Sequence, residues 1–400
     1  MATHTRAGAP ALDELYAARA RTLQPAAVWP EAPEGAISLS YGFAAPELFP
    51  TRELHEAAGE VLFEDADAAL NYGPTDPHLV ALIVERMRAR GIAAEPHSIL
   101  VTHGSSQALG LLPQVLVDPG DTVLIEGPSF MGAVRYFAAA GARLVTVPTD
   151  EAGLDVEALE DILRELRARG VRPKFLYTIP TYHNPTGTLL PLERRKRLVA
   201  LAAEHGLLVV EDDAYGELGF EGEPATRLAA LDEEGWVLHV STFSKILAPG
   251  VRVGFACGRP EIIQRLAQFK IEGGNGPFIT RVVERFCAGG RLDAHIQELR
   301  ALYRRKRDVM LEAMARELPP GWSAAKPQGG FFIWCRLPQG MSAQALHAAA
   351  AREQVVFEPG TRFFANGQGD DAIRLAFSFQ SEERLAEGIR RIGAAMRALG

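Results

Sequence analysis

Between residues 99 and 257, short apolar runs alternate with amphipathic helical patterns, and this alternation restricts the fold more than any other feature of the chain. The runs cover residues 99–102, 122–126, 143–147, 175–179, 207–210, 237–240 and 253–257. Between and after them, residues 108–116, 129–140, 192–205 and 261–270 read as helices. So does the stripe Val156, Leu159, Ile162, Leu163 and Leu166, capped by Asp155 and stopped by Gly170. Near-continuous apolar strands between helices predict a mostly parallel sheet covered on both faces, an α/β architecture. Such sheets bind ligands beyond the C-terminal ends of their strands. Gly104, Asn184, Asp212 and Lys245 each fall just after a predicted strand, so they are expected along one edge of the sheet.

Beyond Gly290 the pattern changes. A long helix over 292–317, a strand over 329–335, a helix over 343–353, strands over 355–357 and 373–377 and a final helix predict a smaller α+β unit. We therefore expect a large domain over 46–290, a small C-terminal domain over 291–400, and an N-terminal segment over 1–45 that packs with the small domain. A short helix is expected over 12–23, before Pro25, Pro30 and Pro33 break regularity. Another is expected over 78–90, with Leu79, Leu82, Ile83 and Met87 at helical spacing and Gly91 as its stop.

Bulk properties exclude several functions. The net charge of −8 argues against a general binder of nucleic acid or anionic membranes. The basic runs at 194–197 and 304–307 lie inside helical patterns and read as solvated faces. Cys257, Cys287 and Cys335 are too scattered for a disulfide framework or a zinc site, which fits a reducing cytoplasm. No apolar run is long enough for a membrane span, and residues 1–10 lack a hydrophobic signal core. A cytoplasmic location is the expectation.

The chemistry centres on residues 241–254. Lys245 sits among small hydroxylated residues directly after an apolar strand, and Arg252 follows seven residues later. A lysine held away from water can lose its proton and act as an amine nucleophile. Hydroxyls and an arginine suit a phosphate. A lysine aldimine beside a phosphate cradle is the chemistry of pyridoxal 5′-phosphate. Upstream, Gly104-Ser105-Ser106-Gln107 lies between a strand and a helix, which suits either an anion site or an ordinary serine-rich N-cap. Asn184-Pro185-Thr186-Gly187 is a good turn in any case. Gly42 is either a turn glycine or a point of close backbone approach to a ligand. Glu211-Asp212-Asp213 could in principle hold a metal, although no further ligand set accompanies it.

Taken together, Asn184-Pro185-Thr186-Gly187, Asp212-x-x-Tyr215 and Ser244-Lys245 with Arg252 resemble the fold type I, pyridoxal-phosphate-dependent aminotransferases of class I/II. The similarity is greatest to the subgroup of 2-aminoadipate and kynurenine aminotransferases, and it runs from Gly42 to about Ser378. The resemblance implies that Lys245 forms the internal aldimine and moves the proton between substrate Cα and cofactor C4′. It implies that Asp212 keeps the pyridine nitrogen protonated, that Tyr215 and Asn184 reach the cofactor's O3′, and that Phe130 stacks on the ring. Ser105, Ser106, Ser244 and Arg252, with Thr242 beside them, would hold the phosphate. Tyr72 would reach the phosphate of a neighbouring subunit, implying a homodimer with shared sites. Arg374 would grip the α-carboxylate in a bidentate fork, with Asn184 and Gly42 lining the substrate pocket. No metal is implied. Two departures fall near the substrate side chain: Tyr41 replaces the subgroup's usual glycine, and His183 its frequent glutamine.

The implied reaction moves an amino group from an L-amino acid to a 2-oxo acid, with 2-oxoglutarate as the expected acceptor, by a ping-pong route. A lyase or decarboxylase on the same fold is the first rival, since it would use the same lysine and aspartate. A transcription regulator with an aminotransferase-like domain is the second. It would need a winged-helix segment before the domain, and the residues preceding Gly42 are too few for that and a linker.

Overall fold

The computed structural model describes residues 15–17, 20, 34–272, 274–365 and 367–400. The helix expected over 12–23 therefore lies outside the described residues, apart from 15–17 and 20.

The alternation becomes an eight-stranded sheet. Its strands are β2 (Ile99–Thr102), β3 (Thr122–Gly127), β4 (Arg143–Asp150), β5 (Gly153–Leu154), β6 (Phe175–Thr178), β7 (Leu208–Asp212), β8 (Val237–Thr242) and β9 (Gly254–Cys257), after a first short strand β1 (Ile37–Ser38). They lie in the order β2-β9-β8-β7-β6-β3-β4-β5. The pairs β4–β3, β3–β6, β6–β7 and β7–β8 are parallel. Strand β9 runs antiparallel to both of its neighbours. Its N-terminal end therefore lies beside the C-terminal ends of β2 and β8, which brings Arg252 next to Gly104.

Side-chain alternation divides the core between the two faces. On one face, Val123, Ile125, Phe175, Tyr177, Val210 and Val240 pack against Leu109 and Leu112 of helix Ser105–Leu116 and Leu266 of helix Pro260–Phe269. On the other, Leu124, Leu176, Val209 and Val237 meet Leu159 and Leu163 of helix Val156–Ala168 and Leu198 and Leu201 of helix Leu192–His205. Each such side chain, fully withdrawn from water, contributes about 1.5–3 kcal/mol. Asp155 caps its helix as expected, accepting from the Ala158 amide at 2.9 Å.

A second sheet follows from β10 (Ser323–Ala324), β11 (Phe332–Arg336), β13 (Glu358–Pro359) and β14 (Ala372–Ala376), all antiparallel in the order β10-β11-β14-β13. The long helix Arg291–Glu317 and the last helix Glu382–Leu399 pack with this part of the chain. The strand expected over 355–357 is instead two short pieces, β12 (Val355–Val356) and β13, on either side of Phe357. Strand β12 pairs in parallel with β1, Ile37 against Val355. The Ala376 amide then donates to Leu39 O at 2.8 Å. These contacts bring residues 40–42 into the site.

Two boundaries differ from expectation. Strand β11 begins at Phe332 because Gly330, at φ 73°, turns the chain, and its amide donates to Leu218 O at 3.1 Å. Asp212 and Thr242 are the last residues of their strands rather than lying beyond them. Helices Thr51–Glu64 and Ala66–Leu70 gave no clear sequence signal: in the first, only Ala57 and Val61 are buried. Among the described residues, no helix is long and apolar enough to cross a membrane.

Candidate active site

Lys245 ends a single helical turn, Phe243–Lys245, directly after β8. Thr242 caps that turn by accepting from the Ser244 amide at 3.1 Å. Lys245 Nζ donates to Gly42 O at 2.8 Å and lies 5.9 Å and 5.7 Å from the ring centres of Tyr215 and Phe331. Withdrawal from water, with the positive charges of Arg374 and Arg252, pulls its pKa down to about 8, against the smaller opposing pull of Asp212. An appreciable fraction is therefore neutral and nucleophilic near physiological pH.

Asp212 closes β7 at 4% exposure. Its Oδ2 accepts from the Tyr177 hydroxyl at 2.7 Å, whereas Oδ1 is buried with no hydrogen-bond partner. Burial raises the carboxyl to about 6, the Tyr177 hydrogen bond opposes the rise, and Asp213 adds to it. The two flanking carboxylates point elsewhere. Glu211 lies 3.0 Å from His239 Nδ1 and accepts from the amides of Leu228 and Ala229. Asp213 binds Arg227 Nε at 2.7 Å. Strand alternation thus turns Asp212 away from Glu211 and Asp213, which share the other face and flank His239 at 3.0 Å and 3.9 Å.

On β14, Arg374 is 8% exposed and lies between the Phe332 and Phe363 rings, 4.3 Å and 4.7 Å from their centres. It donates to Asn184 Oδ1 at 2.9 Å and to Ser40 O at 2.5 Å, and its Nε is buried without a partner. Burial lowers its pKa to about 10, so it stays charged at neutral pH. Asn184 itself is 5% exposed. Its turn packs so closely that a Cβ on Gly187 would fall 2.7 Å from Phe332 O. Tyr215 is buried edge-on to Phe331 and Phe332, and burial raises its phenol well above the usual range.

At the sheet edge, Gly104 (φ 71°) opens helix Ser105–Leu116, whose first amides have no intrahelical partner. Arg252, exposed and at φ 50°, donates to His103 O at 3.1 Å and to Ser244 Oγ at 3.4 Å. A Cβ on Gly104 would lie 2.6 Å from Arg252 Nη2, and one on Gly254 would lie 2.6 Å from Ser105 N. Both glycines keep open a cradle of amides, hydroxyls and guanidinium, with Ser106 half-buried beside it.

The structure thus brings together Gly42, Asn184, Asp212, Tyr215, Lys245 and Arg374, with Ser105, Ser244, Thr242 and Arg252 at the cradle. Phe130 is half-buried at the start of helix Met131–Ala139. Tyr72 is not brought to the site of its own chain: it is fully exposed, at 101%. Tyr41 stacks on Phe43 at 4.8 Å, with Phe379 edge-on to both. His183 is buried, 2.8 Å from Thr186 Oγ and 3.0 Å from Glu126, and so braces the Asn184 turn. Sequence reasoning missed Tyr177, Ser40, Phe332 and Phe363. Tyr177 carries no local signal, because its role depends on the neighbouring strand.

Comparison with known proteins decides the family. The pattern described as "Aminotransferase class I and II" matches residues 38–392. The chain belongs to this family. It is 41% identical over 372 residues to a 2-aminoadipate transaminase of Thermus thermophilus, covering 91% of each chain. It is 39% identical over 362 residues to the aromatic-amino-acid aminotransferase 1 of Thermococcus litoralis, covering 89% of this aminotransferase and 87% of that one. Among solved structures, the α-aminoadipate aminotransferase of T. thermophilus, complexed with N-(5′-phosphopyridoxyl)-L-leucine, superposes with a TM-score of 0.90 at 40% identity, covering 98% of this chain and 99% of that one.

The residues present fit pyridoxal phosphate. The orphaned Asp212 oxygen needs a hydrogen-bond donor, the cradle at Gly104 and Gly254 needs an anion, and Lys245 supplies a neutral amine.

Proposed function

We propose that this aminotransferase moves the amino group of an L-amino acid of the 2-aminoadipate, aromatic or branched type to a 2-oxo acid, 2-oxoglutarate foremost, by a ping-pong cycle. The observation that carries this reading is Asp212 Oδ1, buried and without a partner at the same strand ends as Lys245 and Arg374. When bound, the cofactor supplies an aldehyde for the lysine and a protonated ring that draws electrons from the substrate Cα.

Lys245 would hold the cofactor covalently and, once displaced by the substrate amine, take the proton from the substrate Cα. Asp212 would hold the pyridine proton through Oδ1. Tyr215 and Asn184 would donate to the phenolic oxygen of the ring, and Phe130 would cover its face. Ser105, Ser106, Ser244 and Arg252 would bind the phosphate, with Thr242 fixing Ser244, whose Oγ lies 2.9 Å from Thr242 Oγ. Arg374 would take the α-carboxylate, already oriented by Asn184 and Ser40 and held between two rings. The full exposure of Tyr72 accords with a homodimer in which Tyr72 of the partner subunit reaches the phosphate. Three buried free cysteines accord with a cytoplasmic setting. The identity to a 2-aminoadipate transaminase and to an aromatic-amino-acid aminotransferase supports the proposed donor classes.

Amino-group exchange is the test against a lyase or decarboxylase. Incubation with one amino acid and a labelled 2-oxo acid should convert the two in equal amounts. Release of carbon dioxide or ammonia without exchange would refute the reading.

Two further outcomes follow from the site. Arg374→Ala should raise KM for both amino and oxo acid by roughly thirty- to a hundred-fold, with a smaller loss in kcat. Steady-state kinetics showing an unchanged KM would assign the carboxylate to another residue. The depressed pKa of Lys245 sets the pH dependence of cofactor capture. Because the neutral amine is the nucleophile, capture of pyridoxal phosphate by cofactor-free protein should quicken as pH rises through about 8, then level off. Stopped-flow absorbance would show this, and a rate still climbing towards the ordinary lysine range would contradict the assigned environment.

A further inference from the structure

Tyr177 lies on β6, fully buried, with its ring edge-on to Phe137 at 5.6 Å. It pairs in register with Val210, whose side chain shares a sheet face with Asp212 two residues on. The phenol therefore rises beside the end of β7 and donates to Asp212 Oδ2 at 2.7 Å. This contact orients the carboxylate and leaves Oδ1 as the oxygen without a partner. From this arrangement we infer that Tyr177 is a positioning residue for the reaction, holding Asp212 ionised and aiming Oδ1 at the cofactor nitrogen. The inference rests on the reading of the site as a pyridoxal phosphate pocket.

The physics is a competition for one carboxylate. Burial and the neighbouring Asp213 favour its neutral form. The Tyr177 hydroxyl favours the anion, as do the Ala214 amide and His239. Lys245 faces the same carboxylate from the turn after β8, and Glu126 and Tyr215 bear on the Tyr177 phenol. A hydrogen bond to the charged form lowers a carboxyl's pKa, so its loss raises it. Without Tyr177, Asp212 would retain a proton at higher pH and compete with the ring nitrogen for it. Burial pushes the phenol itself far above the physiological range, so it acts as a fixed donor and does not titrate.

Tyr177→Phe removes one hydroxyl from a packed ring and keeps its volume. The probe is pyridoxamine 5′-phosphate, which cannot link to Lys245 and so reports on ring and phosphate contacts alone. Its Kd for the cofactor-free full chain, measured across pH by fluorescence quenching, should weaken as pH falls through the Asp212 titration. In Tyr177→Phe the midpoint of that weakening should move up by about one pH unit. In the loaded enzyme kcat should fall about tenfold with KM little changed. Against Asp212→Asn as background, Tyr177→Phe should shift nothing further. A lower melting temperature with an unmoved midpoint would overturn the inference, since a merely structural tyrosine behaves that way. So would a midpoint shift that persists in the Asp212→Asn background. Failure of the wild type to bind pyridoxamine phosphate would instead refute the reading of the site itself.

Discussion

Lys245→Ala is expected to lower transamination by at least about four powers of ten. Under the proposed function the lysine would have two tasks that no neighbour can assume: it would be the amine that links the cofactor and the base that takes the substrate Cα proton. Its Nζ is held by Gly42 O between the Tyr215 and Phe331 rings, where no second amine or imidazole is seen among its described partners. The cradle at Gly104, Ser244 and Arg252, proposed to hold the phosphate, is untouched by the change, so the variant should still bind the cofactor without a covalent link. Borohydride reduction followed by mass spectrometry should find the cofactor fixed to Lys245 in the wild type and to no residue in the variant. Retention of more than about a hundredth of wild-type turnover would place the proton transfer elsewhere.

The second large effect is expected at Asp212. Asp212→Asn keeps the shape and the Tyr177 contact but removes the charge. A neutral amide cannot hold a proton on the ring nitrogen, and in a buried site an ionic hydrogen bond is worth several times its value in water. Turnover should fall roughly a hundred- to a thousand-fold, about 3–4 kcal/mol of transition-state stabilisation. Supplying a cofactor analogue whose ring nitrogen is permanently charged should restore part of it. Single-turnover rates measure this directly, and near-normal rates with the natural cofactor would refute the electron-sink role.

Much of the large sheet was legible because burial on both faces forces continuous apolar strands, and joining them in parallel takes long crossovers that are mostly helical. That logic placed Gly104, Asn184, Asp212 and Lys245 on one edge before any contact was known. It did not show the antiparallel course of β9, since Gly254–Cys257 is apolar in either direction; yet that course is what brings Arg252 to Gly104. Helix Thr51–Glu64 was missed because only Ala57 and Val61 are buried, too few to mark a stripe. Residues that act through the neighbouring strand were equally hidden. Tyr177 reads as an ordinary core tyrosine until β6 is laid beside β7. Ser40 contributes only its carbonyl, a group every residue has. Phe332 and Phe363 matter as the walls around Arg374, and their place depends on how β11 and the 360–363 turn meet β14.

The absorbance spectrum of the purified, cofactor-loaded protein during a half reaction tests the central claim most directly. Addition of 2-aminoadipate or an aromatic amino acid, with no oxo acid present, should convert the visible band of the lysine-bound cofactor to that of its amine form. One 2-oxo acid should be released per site, and 2-oxoglutarate should then restore the original band. A protein that takes up no pyridoxal phosphate, or one whose band is unchanged by any amino acid, would contradict the account.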